Sequence, residues 1–231
     1  MADTHGLIHG SLPTGDLYRD KAADYFIGQP LDLQGLLPEA RGLRVLEFGC
    51  GSGATGSAAL ASGFASEYVG VELDPSAASK ARNVLTRVIC DNMELLDHAG
   101  LGTDWDIIVC SEILEHLVDP WAAVRRLVPL LKRGGSIFAS SPNAAHFGIW
   151  LPLLAGTFTY TDAGPMDRTH LRWFTPRSYR GLFVEAGFRL VRVGPLNPLR
   201  RKAQWVNRLT GGALEHLLYT QIFVHAVRDH S

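Results

Sequence analysis

Residues 44–56 read R-V-L-E-F-G-C-G-S-G-A-T-G. A β-forming run enters a glycine-rich turn, and the small residues 57–61 that follow can open a helix. Gly49, Gly51 and Gly53 let the backbone turn sharply and come within contact distance of a ligand, because no Cβ intervenes. The first amides of the following helix are unpaired donors at its positive dipole end, suited to an anionic or electron-rich group. The stretch therefore predicts a ligand-binding strand–loop–helix.

Two kinds of ligand use such a loop. Gly51, Gly53 and Gly56 spell G-x-G-x-x-G, and Glu72 closes the next predicted strand where a ribose-binding acid would sit, as in a dinucleotide site. The fuller pattern is an acid, Glu47, two residues before the first of three alternate glycines, 49, 51 and 53. It resembles the first motif of class I S-adenosylmethionine-dependent methyltransferases. Electrostatics agrees with the resemblance. A buried acid under the loop repels a pyrophosphate, whereas an ammonium and a sulfonium tolerate or welcome it. An NAD(P)-dependent oxidoreductase and a non-catalytic binding protein on a methyltransferase fold are the alternatives.

Outward from the loop, strands and helices alternate. Residues 67–72 predict a second buried strand, with Asp74 capping a helix that begins at Pro75. Residues 87–90 form a third strand, 105–110 an apolar fourth, 121–131 a long amphipathic helix and 136–140 a fifth, after the punctuation of Gly134 and Gly135. A helix over 176–186, a sixth strand over 187–193 and a last, antiparallel strand over 218–227 follow. Upstream, 31–37 predicts a short helix stopped by Pro38. This order demands a doubly wound, mostly parallel α/β sheet of Rossmann-like form, seven-stranded, with ligands at the carboxyl ends of its strands. One domain is expected over 1–231: an N-terminal helical cap (1–40, with Tyr18, Tyr25 and Phe26), a cofactor core (41–143), a substrate cover (144–175) and a C-terminal helix and strands (176–231).

The chain has 231 residues and a net charge of −1, so no global field favours nucleic acid or anionic lipid. Cys50, Cys90 and Cys110 have no zinc spacing and fall near strand ends, which suggests reduced thiols serving as small apolar fillers in a cytoplasmic protein. No apolar run reaches the length of a membrane span, so stable insertion is not expected.

The expected cofactor set lies on the strand tips. Glu47, Gly49, Cys50, Gly51 and Gly53 come from the first loop. Glu72 accepts both ribose hydroxyls, beside Leu73. Asp91 and Asn92 face the adenine amino group with Met93 against the ring, and Ser111 ends the fourth strand. The resemblance extends to E-I-L-E-H-L-V-D-P (112–120) and D-R-T-H-L-R-W-F-T (167–175), which look like segments of the ubiquinone-pathway O-methyltransferases and related small-molecule enzymes. It implies S-adenosylmethionine as cofactor and O-methylation of a small acceptor of sugar, quinone or glycolipid-precursor type, with a homodimer left open and no resident metal required. S-P-N at 141–143 replaces the N-P-P-Y signature of nucleic-acid methylation, so nucleic acid is not expected as a partner.

His116 is the first candidate base, on an expected helix where Glu112, Glu115 and His116 share an arc of about 100°. That arc could orient the imidazole or hold a divalent cation. His170 is the rival, between Arg168 and Arg172, which would keep it neutral and, on an extended segment, grip an anionic acceptor. Its alternative is a structural clasp. His146 is a third candidate.

Overall fold

The computed structural model describes residues 30–229; the N-terminal part of the expected cap, with Tyr18, Tyr25 and Phe26, lies outside them. Seven strands form one sheet: β1 (Leu43–Phe48), β2 (Ala65–Glu72), β3 (Arg87–Cys90), β4 (Trp105–Ser111), β5 (Leu131–Pro142), β6 (Phe188–Pro195) and β7 (Gln221–Arg228). Their order is β3-β2-β1-β4-β5-β7-β6. β1 to β5 pair in parallel, and β7 inserts antiparallel between β5 and β6. The chain is thus a Rossmann-like α/β protein, as the alternation of patterns demanded.

Helices cover both faces: α1 (Leu33–Leu36), α2 (Ala54–Ala61) and α3 (Pro75–Ala81) early in the chain, α4 (Pro120–Leu127), α5 (Phe147–Leu154), α6 (Pro176–Glu185) and α7 (Arg201–Leu209) later. Consecutive strand residues point to opposite faces. Val45, Ile107 and Val109 pack with Leu33, Ala59 and Leu85 in one core. Leu46, Ile108 and Cys110 pack with Val124, Leu127, Leu182 and Phe183 in the other. Asp74 caps α3 by accepting from the Ala77 amide at 2.7 Å, and Thr175 and Ser178 cap α6 reciprocally.

Several boundaries differ from the sequence reading. The amphipathic helix stops at Leu127, and a 3₁₀ turn (Val128–Leu130) leads directly into β5. Gly134 and Gly135 lie within that strand rather than before it. β5 advances five positions, from Leu131 to Ser136, while β4 advances two, from Trp105 to Ile107, and Gly134 within that irregularity adopts φ 74°. Cys50 and Cys110 are buried fillers as expected, but Cys90 is exposed.

Gly56 brings α2 close against the sheet. A Cβ there would lie 2.4 Å from Leu85 Cδ2 and 2.6 Å from Tyr68 Cδ1. Leu85 can rotate, but the Tyr68 ring is fully buried and its hydroxyl is engaged. Gly56→Ala is expected to lose about 1–2 kcal/mol, overpacking outweighing a helix-propensity gain of at most about 1 kcal/mol. Denaturant midpoints of the two proteins check this.

Candidate active site

All three alternate glycines adopt left-handed backbone: Gly49 at φ 73°, Gly51 at 52° and Gly53 at 88°. The Gly49 and Cys50 amides donate to the Val71 carbonyl at 2.8 and 3.2 Å, and a Cβ on Gly49 would meet Ile113 at 3.0 Å. The loop is therefore folded tightly against β2 and opens toward a cavity of about 1050 Å³ at the carboxyl edge of the sheet.

Gly49 and Gly51 line this cavity with Glu72 and Leu73; Asp91, Asn92 and Met93 line it from the end of β3, and Ser111 from β4. Glu47, Cys50 and Gly53 do not. Gly53 instead starts α2, and Cys50 fills the space against Gly70, whose added Cβ would lie 2.4 Å from its sulfur. Glu72 Oε2 accepts from the Gly51 amide and Oε1 from the Asp74 amide, both at 2.8 Å. Burial raises its pKa, and those backbone donors oppose the rise. Each carboxylate oxygen keeps acceptor capacity beyond its one backbone donor.

Glu47 is buried beneath the loop, where Tyr68 donates its hydroxyl to Oε2 at 2.9 Å. Burial raises its pKa to about 8, with Tyr68 and Thr55 opposing and Glu72 adding to the rise. The expected permanently charged acid is therefore mostly protonated at neutral pH. Because the folded chain holds this proton longer than the unfolded one, the contribution of Glu47 to stability falls as pH rises from about 4.5 to about 8. Glu47→Gln is expected to flatten that part of a stability–pH profile, where the carboxyl contributes a slope of at most about 1.4 kcal/mol per pH unit.

The opposite wall corrects the expected helix after β4. Only a 3₁₀ turn (Leu114–His116) forms, and Glu112 takes φ 52°, so no helical arc joins Glu112, Glu115 and His116. A non-glycine residue held in that region is strained, and such strain persists where surrounding structure fixes it. Glu112 and Glu115 both face the cavity. Neither Glu115 oxygen nor Glu112 Oε1 meets a donor at hydrogen-bonding geometry, and burial raises both pKa values. Ser140 and Gln221 ease the burden on Glu112 and Ser141 that on Glu115, while the nearby Glu112 charge adds to the rise at Glu115.

What meets Glu115 and His116 is instead His170. The imidazoles pack edge to face with centroids 4.7 Å apart. One potential ligand atom from each of Glu115, His116 and His170 lies within 4.8 Å of the others, a spacing that could hold a divalent cation. His116 Nδ1 lies 3.2 Å from the Thr169 carbonyl, and His170 Nδ1 3.2 Å from the Pro165 carbonyl. A carbonyl only accepts, so Nδ1 carries the hydrogen in both rings and Nε2 is the basic nitrogen. The Leu171 and Arg172 amides donate to the Glu115 carbonyl at 2.8 and 2.9 Å, so this segment also clasps the insertion to the turn after β4.

The expected arginine grip does not form. Arg168 pairs with Asp162 at 2.9 Å in solvent, and Arg172 donates to the Val118 carbonyl with its guanidinium over Trp121. Residues 167–170 form a turn, the His170 amide donating to the Asp167 carbonyl at 3.1 Å, so Arg168, His170 and Arg172 do not share the face of one extended segment. His146 accepts from the Gly148 amide at the start of α5, away from the cavity, with its pKa lowered by partial burial. Sequence reasoning missed Asp167, which holds the amide and hydroxyl of Thr169 at 2.8 Å, and Thr220 and Gln221, which reach the cavity from the start of β7. The latter two stand in no motif; only the antiparallel insertion of β7 brings them there.

A glycine loop after β1, an acid ending β2 and polar residues on the tips of β3 and β4 line one cleft at the carboxyl edge of a doubly wound sheet, the edge where such sheets take ligands. A family model described as a methyltransferase domain matches residues 20–193. The ubiquinone biosynthesis O-methyltransferase of Vibrio parahaemolyticus is 31% identical over 121 residues, 49% of this chain and 51% of that protein. That of Hydrogenovibrio crunogenus is 25% identical over 172 residues, 71% and 70% of the two chains. The chain thus spans about half the length of several curated relatives it matches. Among solved structures, an S-adenosylmethionine-dependent methyltransferase from Archaeoglobus fulgidus superposes with a TM-score of 0.65 at 18% identity, covering 88% of this chain and 96% of that one. Magnesium protoporphyrin IX methyltransferase from Synechocystis, with bound SAH, superposes at 0.60 and 16%, covering 86% and 80%. The chain belongs to the methyltransferase-domain family and has the class I S-adenosylmethionine-dependent methyltransferase fold.

Proposed function

We propose that this protein is an S-adenosylmethionine-dependent methyltransferase that methylates an oxygen of a small-molecule acceptor, of sugar, quinone or glycolipid-precursor type. One observation carries the reading. The glycine loop with Glu72 and the His116–His170 pair line the same cavity, whose volume of about 1050 Å³ exceeds the need of a single cofactor. When bound, S-adenosylmethionine supplies a methyl group activated for in-line displacement by the sulfonium charge. Glu72 and the tips of β2 and β3 hold and orient the adenosine half. At the other end, Nε2 of His116 or His170 takes the proton from an acceptor hydroxyl, with Nδ1 of each ring fixed by its carbonyl. The O-methyltransferase activity of the ubiquinone relatives supports an oxygen acceptor.

The acceptor half of the cavity presents Glu112, Glu115 and Asp167 and, among the described residues, no arginine or lysine; Lys80 lines the cofactor half. This favours a neutral acceptor over an anionic one. Calorimetric titration with S-adenosylmethionine and with NADH, followed by transfer of labelled methyl to a panel of small hydroxylic and amine compounds, tests the reading. Binding of NADH alone, or cofactor binding with no transfer to any acceptor, counts against it. The Glu115–His116–His170 grouping makes a metal-assisted variant the second reading. Dialysis against a chelator leaves the rate unchanged if the imidazoles act as bases, and abolishes it reversibly if they hold a cation.

A further inference from the structure

Helix α7 turns an unusual set of side chains outward. With about 100° between residues, Arg208, Arg201, Trp205, Leu209 and Lys202 follow one another across an arc of about 120°. Ala203, Val206, Asn207 and Thr210 fall on the opposite side and are partly buried against the protein. Trp205 is 64% and Leu209 66% exposed. The apolar pair is thus flanked by cations on both sides. No acidic residue occurs between Glu185 and Glu215, although Arg200, Arg201, Lys202 and Arg208 lie within that stretch.

A second exposed face lies on another helix. On α5, Phe147, Leu151 and Leu154 form one stripe by the same geometry, and Leu154 is 76% exposed. No charged residue occurs from Phe147 through Thr161. Trp150 of α5 lines a groove together with the His216–Leu217 turn, which follows α7 in the chain. Farther along the same insertion, Gly164 and Pro165 line the cavity.

A tryptophan and a leucine between cations, with a further uncharged apolar stripe on α5, match the amphipathic and electrostatic demands of a lipid headgroup boundary. A second copy of the chain at this face would set its arginines against themselves, which opposes self-association there. No helix among the described residues is long and apolar enough to cross a membrane, so contact would be peripheral. We propose that α7 and α5 dock this protein on an anionic lipid bilayer. Trp205, Leu209 and the α5 stripe enter the interface, and Arg201, Lys202 and Arg208 meet the headgroups. The proposal is independent of the methyl-transfer reading.

Sedimentation of the full chain with phosphatidylcholine vesicles, with and without phosphatidylglycerol, tests it. Binding is expected only with phosphatidylglycerol and should weaken with added salt. Arg201→Gln with Arg208→Gln should weaken partition about thirtyfold, and Trp205→Ser should abolish most of it. A blue shift of tryptophan emission on binding should disappear in Trp205→Phe. Because these side chains are exposed, circular dichroism should confirm that the variants stay folded. Absence of binding to phosphatidylglycerol vesicles at low salt, equal binding to phosphatidylcholine, or indifference to the α7 changes overturns the proposal. So does a dimer, seen by light scattering, that Trp205→Ser dissociates, which would give the face to a second copy. Cofactor titration of the same samples keeps the two readings apart, since vesicle binding needs no methyl transfer.

Discussion

Replacing His116 by alanine is expected to lower kcat by about 10²- to 10⁴-fold, the usual worth of a positioned acid–base group, with little change in cofactor affinity. The side chain is buried on the 3₁₀ turn after β4 and lines the cavity on the side proposed for the acceptor. Its Nδ1 position against the Thr169 carbonyl leaves Nε2 as the basic atom. His116→Gln separates positioning from proton transfer, because an amide can still donate to that carbonyl but cannot take a proton at neutral pH. Both variants should be slow if His116 is the base, whereas a rescued glutamine variant would assign it to holding the 167–172 segment. His170→Ala should fall in the same range, and the double variant should lose far less than the product of the single losses, since the two rings share one site. Single-turnover rates with saturating cofactor measure this; a His116→Ala rate within about threefold of the parent would remove the residue from the chemistry.

That the glycine loop, Glu72 and the tips of β3 and β4 would meet at one cleft was legible because that part of the pattern is local. Three alternate glycines and an acid at the end of the next strand stand close together in the chain, and strand-forming runs announce where each tip falls. Glu47 shows where that reading stops. Its identity is visible in sequence, but its proton is set by burial and by Tyr68, 21 residues away. The opposite wall, proposed for the acceptor, is assembled over longer distances. His116 and His170 stand far apart in the chain and join only because residues 169–172 bond to the turn at 114–116. A helical wheel drawn through Glu112–His116 fails for a backbone reason: Glu112 adopts left-handed φ, which breaks the helix before it starts. The arginines flanking His170 likewise suggested an anion grip, yet each found a nearer partner, Asp162 for one and the Val118 carbonyl for the other. Charge spacing in a loop says little until the path of the loop is known.

Glu72→Ala is expected to raise the dissociation constant of S-adenosylmethionine by about 10- to 100-fold, hydrogen bonds to a charged group being worth about 1.5–3 kcal/mol. Two effects combine. The variant loses the acceptor oxygens proposed to meet the ribose, and it also releases the amides of Gly51 and Asp74, which those oxygens hold at 2.8 Å. Gly51 lines the cavity, so an unanchored glycine loop binds less well even where it still makes contact. Glu72→Gln helps to divide the effects: it keeps one acceptor oxygen without the charge and should fall between parent and alanine. Melting temperature without ligand reports the loop alone, because the orphaned amides destabilise the free protein whether or not a cofactor binds. If melting falls but affinity holds, Glu72 is a loop anchor and the ribose contact lies elsewhere. If both hold, the cofactor does not lie across the tips of β1 and β2. Only a joint loss, with affinity falling by more than the loop's own destabilisation accounts for, supports a sugar-binding role for this carboxylate.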